Sequence, residues 1–179
     1  MDVVSTATRG ESTDGIPSAS LKTWFQTKLE SLYEVPSHPD SEHSPHLSVA
    51  LFTSRTQILL NHIPITFEDF QNDIRSQLQS SIHASVSWKD VMEVYNPEDE
   101  SQKQEGIVAG IYVVTRSLKF RIRAGPAQRK TTVVFSAKIE RDPNIHDEDA
   151  RRVVHLHQTQ LDEAVPIIIH GIGSQQTTS

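Results

Sequence analysis

The chain contains no cysteine. That excludes a disulfide framework, a thiolate zinc site and a cysteine nucleophile. No apolar run is long enough to span a bilayer, and the polar start MDVVSTATRGESTDG is unlike a secretory signal. No Asn-x-Ser/Thr acceptor occurs either, so the expected setting is cytoplasmic, away from membranes. Positive charge is scarce. The net charge is -6 and the pI about 5.8, which argues against a nucleic-acid footprint. The one basic run, Lys119 to Lys130, is built round a Gly-Pro turn and reads as a solvated hairpin tip. A Gly-rich phosphate loop, a G-x-S-x-G elbow and a dinucleotide fingerprint are all missing. Serine-nucleophile hydrolysis and nicotinamide chemistry are therefore unsupported, and no cofactor is expected.

What is present fits one domain with tails. Hydrophobic residues make up 36% of 179 positions, ordinary for a chain with a real core. Residues 1–17 lack periodicity and read as a disordered tail. Residues 18–164 carry the pattern of a folded domain, and 165–179 an arm and a frayed end.

Ser18 or Ser20 can cap a helix over Leu21–Glu34, whose apolar face is Leu21, Trp24, Phe25, Leu29 and Leu32. The stretch Pro36–Pro45 cannot continue it. His38, His43 and His46 fall in or beside that stretch and read as loop residues. Leu47–Phe52 suits a short helix. Gln57–Ile65 suits a strand bent at Asn61-His62. Thr66 then caps a further helix, answered by Asp69, with Phe67, Phe70, Ile74 and Leu78 as its stripe.

From Ala84 onward the period changes to two. Val86–Tyr95 puts Val86, Trp88, Asp90, Met92 and Val94 on one side. Gly106–Ile122 is too long for one flat strand, and Gly110 or Ser117 is the expected irregularity. Ile107, Ala109, Ile111, Val113 and Thr115 form its core-like face, with Tyr112 opposite. Thr131–Arg141 turns Val133, Phe135, Ala137 and Ile139 inward. Arg151–Asp162 closes the meander, with Val153, His155, His157, Thr159 and Leu161 on one side. Val154 and Leu156 are the other candidate core face, because the start of that strand is apolar on both sides; His155 and His157 would then lie on the outer sheet surface, exposed or at a dimer contact.

Helices first and a long meander after them indicate an α+β fold, helices on one face of a curved antiparallel sheet. The order of elements, with LLNHIPIT, FEDFQNDIRSQL, VAGIYVVTRS, TVVFSAKIER and RRVVHLHQTQLD in sequence, resembles the nuclear transport factor 2-like superfamily. Its SnoaL-like group, including uncharacterised fungal-type members, is the nearest flavour. The resemblance covers about Ser20–Asp162. It implies a cone-shaped fold with a pocket at the wide end, often dimeric through the outer sheet face. Members of the superfamily include cyclases, dehydratases, isomerases and binding modules without catalysis.

Two functions follow as expectations. In the first, the pocket binds a small apolar molecule and carries out cofactor-independent acid–base catalysis. Histidine titrates unperturbed near neutral pH, so His155 and His157, side chains roughly 6–7 Å apart on a strand, would transfer protons. Asp90 would orient an imidazole or act as base, as the His and Asp of SnoaL-type pockets lead one to expect. Trp88, His62, Tyr112 and Phe135 would line the ligand. The usual ketosteroid isomerase pattern is not met, because the strand Thr56–Ile65 holds no Asp or Glu. A metal site from His155 and His157 with His62, His83 or Asp90 lacks supporting spacing, so none is expected. In the second function, the domain is a homodimeric interaction or ligand-carrier module without catalysis.

Overall fold

The computed structural model describes residues 19–34, 51–99, 103–122, 125–145 and 149–166. The expected tail at 1–17, the histidines at 38, 43 and 46, the helix at 47–50 and the arm beyond 166 lie outside these residues.

Helix α1 (Leu21–Leu32) starts where Ser20 Oγ accepts the Thr23 N–H at 3.2 Å. Its free N-terminal donors gain a second partner when Lys22 N–H donates to Glu93 Oε2 at 2.6 Å. Leu21, Trp24, Phe25, Leu29 and Leu32 are all buried, as the helical spacing predicts. Leu51 is buried, and Phe52 opens strand β1 (Phe52–Leu60). Asn61 and His62 take positive φ, 49° and 66°, and return the chain as β2 (Ile63–Ile65). Thr66 caps α2 (Phe67–Gln79): its hydroxyl accepts the Asp69 N–H at 3.0 Å and donates to Asp69 Oδ2 at 2.7 Å.

The meander follows as β3 (Ser81–Tyr95), β4 (Gly106–Ile122), β5 (Gly125–Arg141) and β6 (Arg151–Ala164). The sheet order is β2-β1-β6-β5-β4-β3. Every pairing is antiparallel except β1 with β6, which is parallel. The expected all-antiparallel sheet is thus corrected to a mixed one. Parallel neighbours need a long crossover, and here nearly a hundred residues separate Thr56 from Val153, whose carbonyl its hydroxyl binds at 2.7 Å. Val165 N–H still bonds Gln128 carbonyl at 3.0 Å, extending the ladder just past β6.

Both helices pack on one face of this sheet, α1 against β3 and β4, α2 against β3 and β1. The core lies between: Val108, Tyr112 and Val114 from β4, Val133, Phe135, Ala137 and Ile139 from β5, Val153 and Leu156 from β6. Among the described residues, no helix is long and apolar enough to cross a membrane.

Two bulges decide which side chains face that core. In β3, Trp88 pairs with Tyr112 and Asp90 with Ile111, so Lys89 is extra. Ala84, Val86 and Trp88 point inward before it; Val91, Glu93 and Tyr95 do so after it. Gly110 makes room. A Cβ there would lie 2.1 Å from the Asp90 carbonyl oxygen. In β6, Val153 pairs with Ile139 and His155 with Lys138, leaving Val154 extra. Val153 is inward before the bulge, and Leu156 and Gln158 after it.

Candidate functional site

The expected catalytic trio is not inside the cone. Asp90 is exposed, on the outer face with Met92 and Val94, because the Lys89 bulge reverses the alternation. His155 and His157 are also on the outer face, reversed by the Val154 bulge. His62 is exposed in the β1–β2 turn. A shallow depression of about 210 Å³ joins it to His157, lined by Leu59, His62, Val134, Ser136, His157 and Thr159. Among the described residues, no three His, Asp or Glu side chains are grouped to hold a metal ion.

Tyr112 was expected opposite the core and is instead at its centre, wholly buried. The residues of β4 that alternate with it, Val108, Val114 and Arg116, are buried with it. Ile107 is 44% exposed, so the core-like face of β4 is the other one. Trp88 and Phe135 do face inward, and they meet Tyr112 and Phe25 in an aromatic box. Phe25 stacks on Phe135 at 5.0 Å, Trp88 lies 5.2 Å from Tyr112, and Tyr112 lies 5.6 Å from Phe135. The indole N–H of Trp88 donates to Glu30 of α1. Trp88, Tyr112 and Phe135, expected to line a ligand, are thus in ring contact with one another.

Beside the box runs a polar seam on the same inner face. Gln158 Nε2 donates to Tyr112 Oη at 2.9 Å, and the Tyr112 hydroxyl bonds that of Tyr33. Burial, above all, raises the pKa of both phenols, Tyr112 most, so each keeps its proton. Further along β4, Arg116 is 5% exposed. Its Nη2 donates to Asp162 Oδ1 at 3.1 Å and to Thr131 Oγ1 at 3.4 Å. The Thr131 hydroxyl donates to Asp162 Oδ1 at 2.8 Å. Arg129 Nη2 and Nε hold Asp162 Oδ2 at 2.6 and 2.7 Å. Burial pushes the Asp162 carboxyl up, but Arg129, Thr131 and Arg116 together outweigh it and the net shift is down. Among the described residues, nothing bonds the buried Nε of Arg116.

None of Tyr33, Arg116, Thr131, Gln158 or Asp162 stood out as a site residue in the sequence. One signal was available. Arg116 shares the alternation of Val108, Tyr112 and Val114, and a charged side chain in register with apolar ones marks a buried charge.

No family model matches the chain, and no curated protein is similar to it in sequence. Solved structures are similar in fold. A conserved protein from Planctomyces limnophilus matches with a TM-score of 0.53 and 12% identity, over 79% of this chain and 94% of that one. Mtr2 of Candida albicans matches with a TM-score of 0.53 and 16% identity, over 84% of this chain and 98% of its own. This chain has the nuclear transport factor 2-like fold. IdmH of Streptomyces antibioticus, a candidate polyketide cyclase, matches with a TM-score of 0.51 and 10% identity, over 78% of this chain and 91% of its own. Within the nuclear transport factor 2-like fold, the likeness to a cyclase-type chain and that to Mtr2 are comparable, with TM-scores of 0.51 and 0.53. It does not choose a function.

Proposed function

We propose that this domain is a non-catalytic interaction module that pairs with a second copy of itself through the outer face of its sheet. One observation carries the reading. Met92, Val94, Ile107, Val134 and Leu161 are each 44% to 61% exposed, on the face the helices leave bare. The register joins them. Val94 faces Ile107, Met92 faces Ala109, Ile111 faces Val134, and Thr132 sits between Val113 and Leu161. The result is a diagonal apolar stripe from β3 to β6, a patch of the kind that marks an interface.

A second copy suits this stripe because a twofold axis along it lays apolar on apolar. The same rotation carries the flank with Asp90 over the flank with His155 and His157, so carboxylate and imidazoles meet. The histidines singled out from the sequence then serve association rather than proton transfer. A complex of Mtr2 with the Mex67 M domain is similar in fold, with a TM-score of 0.52 and 15% identity. It illustrates that a chain of this fold can engage a protein. The polar tail and the apolar stretch 165–172, read from sequence, also suit partner contacts, and a cytoplasmic setting belongs to the proposal.

The alternative, acid–base catalysis on a small apolar molecule, has less support. The histidines and Asp90 are on the far side of the sheet from the aromatic box and the helices. Sedimentation velocity at low and high micromolar concentration tests the proposal. A dimer is expected, and Met92→Glu with Val134→Glu should weaken it by more than about tenfold without altering the far-ultraviolet spectrum. A wild-type monomer throughout that range overturns it.

A further inference from the structure

We infer that the inner-face seam around Arg116 is a binding site for a small carboxylate, one with an aromatic or short apolar body. The observations that lead there are independent of the outer face.

Arg116 is deeply buried, yet its guanidinium is only partly used. Nη2 reaches Asp162 and Thr131, while Nε has no partner among the described residues. A buried donor left unbonded is disfavoured, and native interiors rarely keep one without a reason. Asp162 does not satisfy this need, because it is shared. Both Arg116 and Arg129 bind it, and Thr131 takes a further position on Oδ1. Two guanidiniums therefore divide a single carboxylate.

The tyrosines supply a complementary donor. Gln158 donates into Tyr112 Oη, which leaves the Tyr112 proton for Tyr33, and Tyr33 brings a phenol O–H to the seam. Arg116 is near enough to Tyr33 for its charge to favour the phenolate, opposing the effect of burial. Asp73, the carboxylate of α2 that also acts on Tyr33, is held by Gln77 Nε2 at 2.8 Å. A planar carboxylate fits this set, since guanidinium edges match it geometrically and a phenol O–H can take a remaining lone pair. Access is built in. Asp162 and Arg129 at the outer end are 34% and 40% exposed, whereas Tyr112 at the inner end is fully buried. The apolar body of the acid would lie against the aromatic box beside the seam.

Benzoate is a suitable probe on the full chain. The readout is the Nε–H resonance of each arginine, with Arg116 assigned by Arg116→Lys. Titration should shift the Arg116 signal saturably and leave that of Arg151 unmoved. Benzyl alcohol, the neutral analogue, should move neither. Arg116→Lys should weaken benzoate by about tenfold or more, and Tyr33→Phe by less. If the Arg116 signal stays still to about 20 mM benzoate, or moves equally with benzyl alcohol or chloride, the proposal is overturned, and a water completes a purely structural arginine. Should Arg116→Lys fail to fold, Arg116→Met serves for assignment, and the wild-type titration still decides.

Discussion

Two buried arginines stand at opposite ends of the inner layer, and they are treated differently. Arg151 opens β6. Its Nε donates to Asp149 Oδ1 at 2.9 Å, its Nη2 to Asp149 Oδ2 at 3.3 Å and its Nη1 to the Ala19 carbonyl at 2.7 Å. Its guanidinium lies over the Trp24 ring at 5.1 Å, and the Trp24 N–H donates to Asp149 Oδ2 at 2.6 Å. Each of its nitrogens is used, and the cluster pins the start of α1 to the start of β6. Arg116, at the other end, shares its carboxylate and has an unbonded Nε. A closed polar cluster makes a clasp. An incomplete one of the same residue types is what a binding site looks like before binding, because the cost of the unbonded donor is recovered only when a ligand arrives.

The comparison can be broken most sharply at Arg151. Arg151→Ala leaves Asp149 and the Trp24 ring without their cation and should cost about 3 kcal/mol, read from urea unfolding. Asp149→Asn keeps one acceptor for Trp24 but removes the charge, and should cost about 2 kcal/mol.

Acid offers the next test. The Asp149 carboxyl is pushed up by burial, but the Arg151 hydrogen bonds and charge with the Trp24 N–H prevail and hold it below the ordinary value of 3.8. A carboxyl depressed in the folded state contributes stability above its unfolded pKa and loses it as pH falls through the folded one. Asp162 follows the same sign. Wild-type stability should therefore decline below about pH 4, and the decline should be shallower in Arg151→Ala. A parallel decline in both proteins would remove Asp149 from the acid transition.

The smallest effect is expected at Arg116, and its sign matters. Arg116→Met removes an unbonded buried donor, while Asp162 keeps Arg129 and Thr131. Stability should be unchanged or rise by about 1 kcal/mol. A loss comparable to that at Arg151 would make the two arginines alike.

Much of the fold was legible in the residues. The face of α1, the caps at Ser20 and Thr66 and the reversal at Asn61-His62 all follow from local chemistry, and the structure has each of them. Gly110, expected to mark an irregularity, lies beside one, although the extra residue belongs to β3. The site was much less legible. Alternation along β3 was read unbroken through Lys89, and so Asp90 was placed inward; along β6 the apolar start left either face open, and the Val154 bulge put Val153 and Leu156 inward and the histidines outward. Tyr112 was placed outward because both faces of β4 are apolar, and the alternation of Ile107, Ala109, Ile111 and Val113 reads as a core face as readily as that of Val108, Tyr112 and Val114. The residues of the seam come from α1, β4, β5 and β6, and nothing local to any one of them announces the others.

By itself, the sequence determined which side chains share a face within an uninterrupted stretch, since helical and pleated periods follow from backbone geometry alone. It also determined where helices begin, because a cap is a bond between residues three apart. Only the tertiary structure decided which face is the inside. A bulge exists by virtue of the neighbouring strand, whose register leaves one residue unmatched, and a single unmatched residue exchanges the two faces for the rest of the strand. The parallel pairing of β1 with β6 and the meeting of Arg116 with Asp162 were decided in the same way, by contacts between segments too far apart in the chain for either to specify the other.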